Sequence, residues 1–240
     1  ASFIICNDNL EELERATFFA RLNKTYIPHP GALLTNGVSV KRLKETNLSE
    51  YEMVKQIFKF LKKPGKIVSL GWNSSQFDRN VCRSTFWRNL EKPYLMNTNG
   101  NAEADLLHIA RAAHLYFPGS IKTGTTSKNN PEFKLTSISK ANDLKHEIKH
   151  SAESDCEATL LTAKLIKNKT PTLWESAFMT TNKSSVINLL DKELMCFTTE
   201  NYGGGPKGHL VTFLAQHPVY QYPLCFDLRH DVEPFLNISL

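Results

Sequence analysis

Two short segments carry the residues whose types and spacing could do chemistry. The first, Asn73-Ser74-Ser75-Gln76-Phe77-Asp78, follows the apolar run Lys66 to Gly71 and leads into a helical pattern. In α/β folds functional groups gather at the carboxyl ends of strands, so Asp78 stands where an active-site acid is expected. Asp78, Cys82 and Phe86 recur at i, i+4 and i+8, which puts the carboxylate on the same helical stripe as core residues. An acid turned inward needs a cation. The alternative is that Asp78 simply complements the helix dipole from the first turn, a role worth under about 1 kcal/mol.

The second segment, His150-Ser151-Ala152-Glu153-Ser154-Asp155, opens the clearest helical pattern of the chain, residues 151–168. A histidine at the mouth of a helix and an aspartate in its first turns would set a general base beside an oxygen donor for a metal ion. Both residues also have ordinary uses there, as a cap or surface side chain and as a dipole-compensating acid. The setting favours chemistry: Ala158, Thr159 and Ala163 are small, as a helix packed closely against a sheet with other carboxylates requires.

These segments need elements to hold them. Strand and helix patterns alternate through the first two-thirds of the chain, which predicts α/β layers. Residues 2–6 and 17–21 read as neighbouring strands joined by the charged stretch Asn7 to Arg15, and Tyr26 to Gly31, with two prolines and a glycine, reads as loop. Apolar spacing predicts helices over 49–61, 76–90, 103–115 and 151–168, a buried strand over 66–71, and a long surface loop over 119–131. After Pro171 the character changes: 174–190 is helical, Tyr202 to Gly208 is glycine-rich, and 209–215 and 222–228 read as strands. The chain divides into a first domain, 1–170, and a second unit, 171–240, made of a linker helix and a β-rich part.

The 240 residues are 41% hydrophobic and 22% charged, enough for one large domain with a real core. No run approaches the roughly eighteen apolar residues a membrane span needs, so no membrane partner is expected. Cys6, Cys82, Cys156, Cys196 and Cys225 are odd in number, scattered and without a C-x-x-C pair. That argues against a disulfide framework or a zinc site and fits a reducing cytoplasm. The formal charge of +5 is compatible with a polyanionic partner without requiring one. Ala1 opens directly into the apolar run Ala1 to Cys6, with no Met and no basic leader, and both ends of the chain are read as cut.

Together the two segments resemble the DEDDh exonuclease superfamily, which includes the proofreading subunit of replicative polymerase and ribonuclease T. Its second motif, N-x-x-F-D, is matched by Asn73 to Asp78 with one residue more between the Asn and the Phe. Its third, H-x-A-x-x-D, is matched by His150, Ala152 and Asp155. Leu34 to Ser39 is similar to its T-x-G-[IV]-[ST] loop. Within the superfamily the chain resembles the bacterial exonuclease I family almost throughout: Tyr26 to Ala32, Gly71-Trp72-Asn73, Phe86 to Asn89, Pro93-Tyr94, Asp105 to Leu107 with Arg111, Lys140 to Asn142, Ala163 to Lys167, and His217-Pro218. One motif is missing. Asp8 to Glu11, Asp143 and Asp227 offer no D-x-E on a strand, and the motif is expected upstream of Ala1.

The resemblance implies a ribonuclease H-like mixed sheet flanked by helices, lacking its first strand, then the start of an SH3-like domain. It implies a 3′-5′ exonuclease that hydrolyses single-stranded DNA to nucleoside 5′-monophosphates in DNA repair and recombination. Two Mg²⁺ ions, or Mn²⁺ in their place, would be held by Asp78, Asp155 and the two upstream acids, with His150 as general base. Arg83, Arg88, Arg111 and Lys134 fall at positions of DNA-facing cations, and Tyr94 at that of an aromatic contact. The implied partners are single-stranded DNA and a single-stranded-DNA-binding protein, with the enzyme a monomer. The competing readings are an exoribonuclease of the same superfamily and an inactive module that only binds single strands; the residues present, holding half the acidic site, are expected to be inactive alone.

Overall fold

The computed structural model of the chain describes residues 1–145, 151–202 and 204–236. Alternation in β1 (Ser2–Cys6) turns Phe3 and Ile5 into a core built mainly by Val54, Ile57, Phe60 and Phe86. β2 (Glu12–Thr17) pairs antiparallel with it. This partner strand lies before the expected 17–21, over a charged segment. It is an exposed edge whose polar side chains satisfy one another, as in the Arg15–Glu12 pair at 2.6 Å, so its pattern carries no apolar signal.

Two short helices, α1 (Pro30–Asn36) and α2 (Val40–Glu45), follow. Pro30 starts α1 instead of ending in loop, because a proline at the head of a helix loses an N–H that had no partner anyway. In α3 (Glu50–Lys62), Ser49 and Glu52 form a reciprocal capping box, and the helix buries Val54, Ile57, Phe58 and Leu61. Then come β3 (Val68–Gly71), α4 (Asp78–Arg88), a single 3-10 turn at Leu95–Asn97, β4 (Ala102–Asp105) and α5 (Leu106–Tyr116). The helix expected over 103–115 is thus a strand and a helix in direct succession, with Asp105 as the cap between them.

The expected loop 119–131 contains a small antiparallel pair, β5 (Gly124–Thr125) with β6 (Pro131–Glu132), before α6 (Leu135–Ala141). α7 (Ala152–Lys169) is the predicted long helix. Its Ala158, Thr162 and Ala163 are fully buried, which lets it lie close to its neighbours. The helical stretch after Pro171 is two helices, α8 (Pro171–Met179) and α9 (Lys183–Lys192), with Asn182 capping the second. A three-stranded antiparallel sheet closes the chain: β7 (Cys196–Tyr202), β8 (Gly205–Gln216) and β9 (Pro223–Asp227), followed by α10 (Glu233–Leu236). β7 was not anticipated; Glu200 and Asn201 hide its pattern.

The architecture is mixed α/β. Among the described residues the strands form four separate sheets, with β3 and β4 parallel and the other pairs antiparallel. A second core of Leu106, Ile109, Ile138, Ile166 and Trp174 fixes α5 to α6, α7 and α8. No described helix is long and apolar enough to cross a membrane.

Candidate active site

The parallel pair β3–β4 ends in register, Gly71 opposite Asp105, and everything around the site starts from those two ends. The chain leaves β3 in a tight turn. A Cβ on Gly71 would come within 2.6 Å of the Ser74 Cβ, and Asn73 takes a left-handed φ of 58°. Asp105 holds this turn. Its Oδ1 accepts the backbone N–H of Asn73 at 2.9 Å and that of Leu107 at 3.1 Å, while its Oδ2 accepts the N–H and the hydroxyl of Ser75 at 3.0 and 2.7 Å. One carboxylate therefore caps α5 and fixes the loop that delivers Asp78 to the head of α4. Asp105 entered the sequence reading only as part of a resembling segment; nothing in its local pattern signals a partner thirty residues back.

Asp78 faces acids on two other elements. The residue is exposed along α4, yet its carboxyl is pushed above the usual aspartate range by partial loss of water and then by the charges of Asp105 and Asp155, against one backbone hydrogen bond that pulls the other way. α7 carries Asp155 near enough for its charge to act on Asp78, and the start of the helix is fixed by Ser151, which accepts the Ser154 N–H at 3.1 Å. The same neighbourhood shows in two thiols. Cys82 is pushed up to about 11 by burial, then by Asp78 and Glu103, and Cys156 to about 11 by burial, then by Asp155 and Asp78. Both thiols stay protonated at neutral pH, so the donors on offer are hard carboxylate oxygens and not thiolates. Cys156 also donates to the Ser2 carbonyl at 3.1 Å, tying α7 to β1.

An open pocket of about 440 Å³ adjoins Asp78, walled by Trp72, Phe77, Leu107, Phe133 and Leu135, with Lys134 at its rim. The Trp72 indole donates to the Phe133 carbonyl at 3.2 Å, which pins the strand end to the segment after β6. Flat apolar walls beside a carboxylate suit an unstacked base whose phosphate lies toward the acid and its counter-ion. Phe133 carried no motif signal, Trp72 entered only within the resembling segment Gly71-Trp72-Asn73, and neither was read as a site residue.

The predicted substrate cations are spread along the surface. Arg83 lies over the Tyr94 ring at 5.0 Å and within 3.7 Å of Glu103, so these two expected contacts are brought together. Arg88 is engaged elsewhere, in a two-pronged pair with Glu50 at 2.6 and 2.7 Å. Arg111 lies 5.9 Å from the Phe133 ring centre, its Nε buried without a hydrogen-bond partner, and burial pulls its pKa below the usual value against the opposing charge of Asp105. Lys134 pairs with Glu132 at 2.8 Å and stays largely exposed. His150, the expected base, lies outside the described residues. Among the described residues no group of three or more His, Cys, Asp or Glu side chains is placed to hold a metal ion. Asp78 and Asp155 fit a divalent ion in kind, as oxygen donors whose mutual repulsion a cation would relieve.

The fold and site define a mixed α/β protein with an acidic pocket at the ends of parallel strands. No family model matches the chain. Among curated proteins it is 33% identical to exodeoxyribonuclease I of Haemophilus influenzae over 232 residues, which cover 94% of this chain and 49% of that protein. It is 30% identical to exodeoxyribonuclease I of Escherichia coli over the same shares. Among solved structures, E. coli exonuclease I in complex with a dA16 oligonucleotide superimposes with a TM-score of 0.82 at 28% identity, over 99% of this chain and 53% of that one. The chain is similar to exonuclease I proteins over almost its whole length, and it spans about half the length of the curated relatives it matches.

Proposed function

We propose that this chain is the acid-bearing part of a 3′-5′ exonuclease that hydrolyses single-stranded DNA to nucleoside 5′-monophosphates. The observation that carries the reading is the convergence of Asp78 and Asp155, from two helices, beside an aromatic-walled pocket where β3 and β4 end. Its relatives' name and the dA16 complex of the E. coli enzyme support the substrate.

Residues 1–170 would form the nuclease domain, with a ribonuclease H-like sheet. Residues 171–240 would be a linker followed by an SH3-like unit. Two Mg²⁺ ions, or Mn²⁺, would be held by Asp78 and Asp155 with the two upstream acids, and when bound would relieve charge on the scissile phosphate and leaving oxygen. The protein's own groups do the rest. His150 would take the proton of the attacking water, a task that histidine's ordinary near-neutral pKa suits. Trp72, Phe77 and Phe133 hold the terminal base out of water. Arg83 with Tyr94, and Arg111 with Lys134, hold the strand behind it; Arg88 joins them only by giving up Glu50. A single-stranded-DNA-binding protein is the partner this reading implies.

The test is degradation by the intact protein of single-stranded DNA, duplex DNA and RNA of one sequence, with Mg²⁺. Shortening of the single-stranded DNA from its 3′ end alone is expected. Preferential loss of RNA would make it an exoribonuclease, and binding without degradation an inactive module.

A further inference from the structure

The hairpin of β1 and β2 is tied to α7 along its length. In the last turn of the helix the Lys167 ammonium donates to the Asp8 carbonyl, and nearer its head the Cys156 thiol donates to the Ser2 carbonyl at 3.1 Å. Arg15, on β2, adds a link of another kind. Its Nε and one terminal nitrogen donate to the two carboxylate oxygens of Glu12 at 2.7 and 2.6 Å. That two-pronged pair along the strand sets the plane of the guanidinium. The other terminal nitrogen is thereby turned toward α7, 3.6 Å from Glu153 and 4.0 Å from Glu157.

Glu153 and Glu157 stand at i and i+4 on α7 and share a face, whereas Asp155, two positions from each, lies on another. The face gripped by Arg15 is therefore not the face of Asp155, whose charge acts on Asp78. The helix opens at Ser151, whose hydroxyl and carbonyl take the N–H groups of Ser154 and Asp155 at 3.1 and 3.0 Å, and helix ends fray from such turns. Glu153, Asp155 and Glu157 crowd like charges into this stretch. Arg15 sets a cation beside them, and its charge opposes theirs as far in as Cys156, next to Asp155. Ion pairs this exposed are individually weak, too weak to hold a fold together, but strong enough to choose between a closed and a frayed helix head.

We propose that Arg15 is a positioning residue for the acid site: through Glu153 and Glu157 it holds the first turns of α7 and, with them, the approach of Asp155 to Asp78. The inference rests on the proposed function for the reaction that Arg15 would affect. Its structural half, the grip on the head of α7, stands apart from that reading and is measured separately.

The experiment takes two readouts from the intact protein carrying Arg15→Gln. The first is amide hydrogen exchange without divalent metal: Ser154 to Ala158 should exchange about fivefold faster, the most that exposed pairs of this kind shift a population, while α3 and α5 keep the parent's rates. The second is steady-state degradation of single-stranded DNA with Mg²⁺, in which kcat should fall by up to about fivefold at unchanged KM, because a misplaced acid costs rate and not strand binding. In a background carrying Glu153→Gln and Glu157→Gln, the same Arg15→Gln change should move neither readout, since the arginine acts through those carboxylates. Parental exchange at the head of α7 would overturn the grip, and an undiminished effect in the glutamine background would overturn its route. Faster exchange with parental kcat, or a raised KM with kcat intact, would overturn the positioning role and leave Arg15 as a charge that guards the β2 edge. If the parent itself releases no nucleotides, the exonuclease reading fails instead, and the exchange rates still decide whether Arg15 holds α7.

Discussion

Ser75 gives both its backbone N–H and its hydroxyl to one oxygen of Asp105, at 3.0 and 2.7 Å, while the other oxygen takes the N–H groups of Asn73 and Leu107. The turn that presents Asp78 is therefore built on a carboxylate from the neighbouring strand. Asp105→Ala strands these donors in a partly buried place. The expected loss is about 1–3 kcal/mol of stability, read as a lower urea midpoint at unchanged slope. Turnover should fall with it, because Asp78 loses its fixed approach.

Asp78 gives a pH test of the acid cluster. Its folded pKa is raised above the ordinary aspartate value of 3.8, so the folded state holds that proton more tightly than the unfolded chain does. The contribution favours folding at low pH and is lost as pH rises from the unfolded value through the folded one. At neutral pH the ionised group is a net cost to the metal-free fold. Asp78→Asn should melt higher than the parent at pH 7 without divalent ion, and the gap should close well below pH 3.8, where the parent's carboxyl is neutral in both states. Added Mg²⁺ should raise the parent's melting temperature more than the variant's.

His150 is assigned as the base through its place in the H-x-A-x-x-D motif. His150→Ala should lower the rate of single-stranded DNA degradation by about a hundredfold or more while oligonucleotide affinity changes little. An equal loss of rate and affinity in the same titration would make it a structural residue.

The parts of the molecule that were legible in the sequence are those whose signals are local. β1, α3 and α7 stand where apolar spacing puts them: each buries one face against a core, and the two helices start at a serine, Ser49 or Ser151, whose side chain accepts one of the helix's first N–H groups. β2 was misplaced because an exposed edge of paired charges has no apolar alternation, and β4 was absorbed into a helix because it is only four residues long and its last residue, Asp105, is already the cap of α5. The helix over 174–190 hid a break at Thr180 to Asn182.

The site divides in the same way. Asp78 and Asp155 were singled out because each lies in a motif whose spacing fits within one segment. Asp105, Trp72 and Phe133 were not, since their roles arise from contacts across thirty or more residues, such as the Trp72 indole on the Phe133 carbonyl.

The central claim is that Asp155, delivered by α7 to the carboxyl of Asp78, belongs to a metal-dependent nuclease centre. The direct measurement is Mg²⁺-dependent release of nucleotides from single-stranded DNA by Asp155→Ala in the intact protein, with strand binding measured alongside. The account predicts that release is abolished and binding remains measurable; normal turnover by the variant would place the chemistry elsewhere.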